Sequence, residues 1–219
     1  MPINKMIVLK QTRWFKYYFL MLLLLFLIRS YATEDNLNPI VETANNCSQF
    51  NKTITAKTEF YLRALSKHLQ GDHKGALRDM NYLIECYPKD ASYISTRGDI
   101  KKDLHDSLGA IQDYNQSLTL DPNMATSYLG RGSAKYDLND FRGADQDFTK
   151  GIALLEAEIE NKDPESLIPF LKELLRNAYF QRGIIRVIFN HKNAGCMDLS
   201  KSGELGNYDA YDLIQKYCN

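Results

Sequence analysis

Four cysteines are the residues of this chain with the most definite chemistry. The chain has 219 residues, and its cysteines lie at separated places with no CxxC pair and no cluster of cysteine with histidine. That spacing argues against a zinc site and against a redox-active dithiol. An even number of cysteines favours two disulfides if the protein is exported to an oxidising compartment. The cysteines are Cys47, Cys86, Cys196 and Cys218.

Other residue types that support catalysis do not form a recognisable constellation. The histidines are scattered, and the HExxH, GxSxG, GxxxxGKS/T and GxGxxG patterns are absent. Carboxylates recur at fixed intervals, which is typical of a scaffold, and Asp145 beside Asp147 is interpreted as a solvated neighbour of a recurring acid. No pair of acids is singled out for glycoside hydrolysis. We therefore expect no enzyme activity, no cofactor and no metal, with an unrecognised enzyme as the residual alternative.

The first 32 residues predict a signal peptide. They contain five basic and no acidic residues, and their apolar run, Tyr17–Ile28, is shorter than the roughly 20 residues that cross a bilayer. Small residues at Ser30 and Ala32 predict cleavage between Ala32 and Thr33. The mature protein is then periplasmic or secreted and has no membrane association. The alternative is a chain that stays anchored to the membrane by an uncleaved N-terminal segment.

The charge of the remaining chain is mildly acidic. Residues 33–219 contain 22 basic and 27 acidic residues, a net charge of −5. Surfaces that bind nucleic acid are basic, because they must neutralise phosphates. We therefore expect no nucleic-acid partner.

Several residues recur with a period of 34. An arginine, an alanine and a closing proline keep this spacing, and turn signals such as LQGD and LHDS separate two amphipathic stretches in each unit. Repetition at this period indicates helix–turn–helix units that stack on one another. The recurring residues are Arg63, Arg97 and Arg131, then Ala76, Ala110 and Ala144, and finally Pro88 and Pro122.

The pattern resembles the tetratricopeptide repeat (TPR) family, whose units are 34 residues long. That family has small residues at the eighth, twentieth and twenty-seventh places of each unit, where its two helices pack closely. The resemblance implies an all-α fold, a right-handed α-solenoid of helix–turn–helix repeats with a C-terminal capping helix. The residues at these places in the four units are Ala64, Ala76 and Leu83; Gly98, Ala110 and Ser117; Gly132, Ala144 and Gly151; and Gly183, Gly195 and Ser202.

The resemblance also divides the chain into segments. The third unit holds 17 extra residues, which are helical on both sides of a break at residues 161–164. Shared between two antiparallel helices, they lengthen each by about eight residues and predict a protruding helical hairpin. The ending CMDLSKSGELGNYDAYDLIQKYC resembles that of exported TPR proteins of the Bacteroidetes type. The predicted segments are a signal peptide (1–32), an N-terminal extension (33–55), repeats at 56–90, 91–124, 125–175 and 176–206, and a capping helix (207–219).

Register pairs four arginines with four aspartates. Each arginine lies on the first helix of a unit, and the aspartate sixteen residues later lies on the second. We interpret the pairs as structural ties that set the helix register, and a row of charged ligand contacts is the alternative. The pairs are Arg63 with Asp79, Arg97 with Asp113, Arg131 with Asp147, and Arg182 with Asp198.

In helix pairs of the kind that the resemblance implies, neighbouring helix ends bring the cysteines together. Cys196 opens the second helix of unit four, and Cys218 ends the antiparallel helix after it. Cys86 ends the second helix of unit one, close to where the first helix begins and hence to Cys47. We predict the disulfides Cys47–Cys86 and Cys196–Cys218, each contributing about 3–4 kcal/mol in the chain-entropy model.

The resemblance further implies a concave groove lined by the first helix of each unit. The lysine and asparagine with which chaperone-binding members hold a peptide carboxylate are missing from these places. We therefore predict a protein-interaction module that binds another protein or peptide in a groove with apolar ends and a polar middle, and we make no prediction of oligomeric state. The groove residues are Tyr61, Leu65, His68, Ser95, Asp99, Lys102, Leu129, Ser133 and Tyr136.

Two alternatives to this interpretation concern other surfaces. In unit four, Phe180, Ile184 and Val187 are either groove residues or, as we favour, buried under the C-terminal helix. The alternative function is a structural subunit of an envelope assembly, which uses the convex face or the helical hairpin.

Overall fold

The computed structural model describes Cys47 and residues 54–161 and 168–218. These residues form helices and turns and no strand, which confirms the all-α fold. The chain divides into two compact units, an N-unit (Met1–Cys86) and a C-unit (Tyr87–Asn219). The N-unit contains α1 (Ile54–Leu69) and α2 (His73–Cys86). The C-unit contains α3 (Ala91–Asp103), α4 (Ser107–Leu120), α5 (Ala125–Asp137), α6 (Phe141–Asn161), α7 (Ile168–Ile188), α8 (Lys192–Glu204) and α9 (Asp209–Tyr217).

Some of the sequence predictions concern residues outside the described ranges. These are the signal peptide with its cleavage site, most of the N-terminal extension, and residues 162–164 of the break in the third unit. Among the helices that are described, none is long and apolar enough to cross a bilayer.

The turn inside each helix pair follows one design. The residue that precedes the aspartate or histidine at the start of the second helix has a positive φ in all four turns. In three turns the aspartate then accepts a hydrogen bond at 2.9 Å from the amide of a glycine three residues later, which satisfies a free N–H of the helix start. The positive-φ residues are Gly71, His105, Asn139 and Asn190, and the aspartate–glycine pairs are Asp72 with Gly75, Asp106 with Gly109, and Asp140 with Gly143.

Small residues allow the paired helices of the C-unit to approach closely. A Cβ on Gly132 would lie 3.3 Å from the carbonyl oxygen of Ala144, and a Cβ on Gly183 would lie 3.1 Å from that of Gly195. Larger side chains at Gly132 and Gly183 would push the helices apart, so the small places of the repeat pattern are packing positions.

The 17 extra residues lengthen α6 and α7, which have 21 residues each, compared with 13 in α5. The added turns pack on each other through Leu155, Leu171 and Leu175, which are nearly inaccessible to solvent. Because α7 is a continuous helix, the predicted boundary between residues 175 and 176 lies inside it.

A buried aspartate held by two cations recurs in each described helix pair, and we call this group the clamp. The arginine of the first helix donates two hydrogen bonds to the aspartate of the second at 2.6–2.9 Å. A second cation, four residues after the arginine, contacts the same carboxylate at 2.8–3.0 Å. The aspartates are only 3–6% exposed. The clamps are Arg63, Lys67 and Asp79; Arg97, Lys101 and Asp113; Arg131, Lys135 and Asp147; and Arg182, Arg186 and Asp198.

In the C-unit the clamp arginines also reach the preceding helix pair. Arg131 donates to the Asn115 side chain at 2.6 Å, and Arg182 donates to the Thr149 hydroxyl at 3.2 Å. The interpretation of Asp145 as a solvated neighbour is wrong, because Arg186 holds its carboxylate at 2.7 Å. One set of cations therefore fixes both the packing within a pair and the register between pairs.

Two disulfides lie at the ends of the described helices. Cys47 is bonded to Cys86 at the end of α2, and Cys196 of α8 is bonded to Cys218, which follows α9. The predicted capping helix, α9, is only partly covered: Ala210 is fully buried, whereas Tyr217 is 43% exposed. The disulfide therefore supplies a covalent attachment for a short helix with little buried surface.

Replacement of the clamp aspartate Asp147 by asparagine is expected to destabilise the protein by about 3–5 kcal/mol, because two cations lose their buried counter-ion. Lys135→Met is expected to cost about 1 kcal/mol or less, since Arg131 remains paired. Urea denaturation of the full chain measures both. Asp137→Asn, an exposed change on α5, is the control, and a loss below about 1 kcal/mol for Asp147→Asn contradicts the clamp.

The double variant Cys196→Ala/Cys218→Ala is expected to lose about 3 kcal/mol of stability, the entropy of closing a loop of this length in the unfolded chain. The faster amide hydrogen exchange that follows should concentrate in α9 and the adjoining part of α8, because the disulfide anchors this end. Exchange unchanged in α9 would show that packing alone holds the helix.

Candidate protein-binding surface

The first helices of the three pairs in the C-unit, α3, α5 and α7, form the candidate surface, which we call the A-face. The predicted residues of the N-unit lie on α1, where Tyr61, Leu65 and His68 are half-buried. The Nδ1 atoms of His68 and His73 are 3.0 Å apart. Because α1 belongs to the N-unit, the A-face is defined by residues of the C-unit alone.

Ser95 belongs to the interior, and its prediction as a groove residue is wrong. It is 4% exposed and accepts a hydrogen bond from Ser127 at 2.8 Å. Ser127 lies 2.9 Å from Ser117, which donates to the carbonyl of Ala91. The small hydroxyl side chains satisfy one another and let α3, α4 and α5 pack closely, so no room for a ligand remains at this place.

Two further predicted groove residues are partly used in packing, and so is one of the unit-four residues that the sequence left between groove and core. Leu129 lies against Gly151 of α6, where an added Cβ would be 2.5 Å from its side chain. The Tyr136 ring packs edge-on against Phe141, with centroids 5.4 Å apart. In α7, Val187 packs in the same way against Gly195. Each is half-buried, so the apolar ends of the predicted groove contribute to the core as well as to the surface.

Asp99 is the predicted residue with the most unusual surroundings. The fully buried Tyr114 of α4 donates a hydrogen bond to the Asp99 carboxylate at 2.7 Å. The Tyr114 ring passes between two glycines of successive pairs: added Cβ atoms on Gly98 and Gly130 would lie 2.8 and 2.5 Å from it. A residue of the second helix thus delivers its hydroxyl to the A-face, because both first helices lack a side chain at the crossing point.

Burial raises the pKa of Asp99 from its ordinary value of 3.8 to about 6, an effect that the Tyr114 hydrogen bond and the nearby charge of Lys102 oppose. Burial also raises the pKa of Tyr114, so the hydroxyl remains a donor at neutral pH. At neutral pH the A-face therefore carries a poorly hydrated carboxylate with one fixed donor.

Lys102 and Ser133 complete the polar part of the A-face. Both side chains are half-buried, and neither makes a hydrogen bond or ion pair within the described part of the chain. Together with Asp99 they offer a carboxylate, an ammonium and a hydroxyl whose hydrogen-bonding capacity is not fully used.

The importance of Tyr114 and Gly130 was missed at the sequence level. Met80, Tyr114, Phe148 and Leu199 occupy the same place of the repeat, and Tyr114 alone among them has a hydroxyl. Asp99, which lies fifteen residues before Tyr114 on the preceding helix, was the sequence signal that this hydroxyl has a partner.

No protein-family model matches the chain, and no curated protein matches it. Among solved structures, the crystal structure of MamA protein has 19% identity and a TM-score of 0.55, covering 71% of this chain and 76% of that one. MamA 41-end from Desulfovibrio magneticus RS-1 has 16% identity and a TM-score of 0.54, covering 68% and 75%. The chain has the tetratricopeptide repeat fold. A shorter match, the first TPR of Spaghetti (RPAP3) bound to an HSP90 peptide, covers 54% of this chain at a TM-score of 0.44, too low to bear on the fold.

Asp99→Asn is expected to change how the stability of the protein depends on pH. Because the folded pKa of Asp99 is above its unfolded value, Asp99 contributes stability that is complete below about pH 4 and is lost as the pH rises through about 6. Relative to the variant, the wild type should therefore lose up to about 3 kcal/mol between pH 4 and pH 7. Urea denaturation at a series of pH values measures this, with Asp137→Asn as the control, and parallel curves for wild type and Asp99→Asn would contradict it.

Proposed function

We propose that this protein is an exported, non-enzymatic protein-interaction module that binds a segment of a partner protein across the A-face. The observation that carries the proposal is the Asp99 carboxylate, which accepts a hydrogen bond from Tyr114 and shares the A-face with Lys102 and Ser133, two polar side chains with unused capacity. A partly buried hydrogen bond supplied from a neighbouring helix fixes the position of this acid, as a recognition site requires.

The chemistry of the A-face indicates what the partner segment must offer. Asp99 is ionised above about pH 6, and one of its oxygens already accepts from Tyr114. Its remaining capacity suits a donor, such as a lysine, an arginine or an amide of the partner. Such a contact gains strength because the carboxylate is poorly hydrated before the partner arrives. Lys102 suits a carbonyl or carboxylate farther along the segment, so the segment is expected to be polar.

The use of the buried carboxylates supports a non-enzymatic role. Asp79, Asp113, Asp147 and Asp198 are each bound by two cations, so their carboxylates are already engaged within the scaffold. Catalytic acids instead tend to lie in clefts with unsatisfied partners and perturbed pKa values. Asp99 has a perturbed pKa, but its fixed partner is a tyrosine whose own pKa is raised.

Export is supported by the cysteines. All four are joined in disulfides, and such bonds persist in oxidising compartments outside the cytosol. A location in the periplasm or outside the cell is therefore part of the proposal.

The extension of α6 and α7 favours a second candidate, in which the protein is a structural subunit of an envelope assembly. The extension has its own packed interior, and Phe170 on α7 is nevertheless 56% exposed. An exposed phenylalanine on a well-packed helical extension offers an aromatic anchor to another subunit. In this candidate the partner contacts the extension and leaves the A-face open.

Ser133→Arg is expected to reduce partner binding at least tenfold, because a long charged side chain fills the centre of the A-face at a half-buried place. Lys102→Glu is expected to weaken binding less, by reversing one charge. The measurement is cross-linked co-purification from the envelope fraction that contains the full chain, followed by quantification of the captured partner.

The matched control is Gln116→Arg, which adds the same side chain at an exposed place on α4. A partner retained by Ser133→Arg but lost on Phe170→Ala would reject the A-face and support the structural-subunit candidate. Equal unfolding free energies for Ser133→Arg and Gln116→Arg show that any loss of binding is local.

A further inference from the structure

A cleft of about 690 Å³ lies in the C-unit where α6 begins, α7 ends and α8 begins. It is separate from the central A-face residues and has the size of a ligand pocket. Its lining combines aromatic rings with charged groups, and the repeat pattern changes at this point of the chain.

One wall of the cleft is aromatic. The ring centroids of Phe141 and Phe189 are 5.5 Å apart, and Tyr136 packs edge-on against Phe141 at 5.4 Å. Phe189 is nevertheless 51% exposed, whereas the neighbouring Ile185 is only 3% exposed. A rigid aromatic surface that stays open to solvent gains free energy when an apolar side chain covers it.

The charge of the cleft is positive once the internal ion pairs are considered. Arg186 is already bound to Asp145 at 2.7 Å and to Asp198 at 3.0 Å. Arg142 lines the same cleft and is exposed, and within the described ranges it makes no ion pair or hydrogen bond with its side chain. It is therefore the cation available to an incoming anion.

The fourth turn lacks the acid that the other three turns contain. His191 stands where the other pairs have aspartate, and no side chain caps α8. In the other turns the carboxylate lies within 1.9–2.2 Å of where a Cβ would be, so a larger residue three positions later would displace the capping carboxylate. Here Ala194 stands in that place and lines the cleft. The paired change removes a negative charge and adds an apolar methyl group.

We propose that this cleft binds an acidic peptide segment of a partner protein, in which a glutamate or aspartate adjoins a large apolar residue. The carboxylate pairs with Arg142, and the apolar side chain packs on Phe141 and Phe189. Arginine suits this role because its planar guanidinium binds a carboxylate through two hydrogen bonds. The cleft is larger than a carboxylate alone requires, and an apolar side chain of the peptide would fill the remaining space against the aromatic wall. The site does not include Asp99, Lys102 or Ser133 of the A-face, and it depends on the proposed function only in that its ligand is a protein segment.

The test uses fluorescein-labelled hexapeptides, acetylated and amidated, with a central apolar residue followed by glutamate. A panel with phenylalanine, leucine or tyrosine before the glutamate is titrated against the full chain at low salt by fluorescence anisotropy. At least one peptide is expected to bind, and its glutamine counterpart is expected to bind at least fivefold more weakly. Arg142→Gln and Phe189→Ala are each expected to weaken binding of the glutamate peptide at least fivefold. Lys150→Gln, an exposed loss of the same charge on α6, is expected to change it less than twofold.

A variant that introduces the aspartate–glycine turn of the other pairs separates an effect on binding from an effect on folding. His191→Asp/Ala194→Gly installs the capped turn of the other three pairs, so the protein should be at least as stable as the wild type. The new carboxylate lies beside the cleft and should weaken binding of the glutamate peptide at least fivefold. Retained binding in this variant, in spite of the added negative charge, would overturn the proposal.

The remaining outcomes are equally decisive. No binding by any glutamate peptide, or equal binding of glutamate and glutamine peptides, overturns the site. A peptide that is retained by Arg142→Gln and lost on Ser133→Arg belongs to the A-face, which overturns the cleft and supports the proposed function. A peptide that is lost on Arg142→Gln and retained by Ser133→Arg supports the cleft, whatever the fate of the A-face.

Discussion

The interaction on which the rest of the structure depends is the buried aspartate of the clamp. Removing a carboxylate from water is costly, and an arginine with two hydrogen bonds and a second cation offset that cost. The geometry that satisfies the aspartate exists only when the two helices of a pair are in one register. In the C-unit, Arg131 and Arg182 extend this constraint to the preceding pair. Packing supplies the stability of the helices, and the clamp selects one arrangement among the ways in which they could pack.

This constraint leaves other places free to vary. Tyr114 occupies a packing position of the repeat, yet its hydroxyl reaches a carboxylate on the opposite side of the first helices. The fourth turn varies in another way, because aspartate and glycine become His191 and Ala194 while the turn keeps its shape. In both places, a position that has a purely structural role in the other repeats carries a different residue, which changes the chemistry of the nearby surface. The A-face and the cleft are distinct consequences of such changes.

Much of the architecture could be predicted because the chain repeats. A period of 34 located the helix pairs, and the arginine–aspartate spacing followed from it. The same period in Lys67, Lys101 and Lys135 could have predicted the second cation of the clamp and was overlooked. The residues that line the groove were predicted less well than the helix pairs. Ser95 and Leu129 hold the expected places on their helices, but whether a side chain faces solvent depends on the neighbouring helix, here on Ser127 and Gly151.

The sequence by itself determined the helix pairs, their register and the places at which charged groups pair, because these follow from periodicity along one chain. Only the tertiary structure decided which of those groups are buried and which surfaces remain open. Burial depends on distances between helices. Gly98, Gly130 and Gly151 allow short distances because they have no side chain, and Tyr114 and Leu129 fill the space that a Cβ would take. The raised pKa of Asp99 arises from these distances, because Tyr114 passes between Gly98 and Gly130 and the packed helices bury the carboxylate. This pKa cannot be derived from spacing along the chain, since it depends on how much water the packed helices exclude.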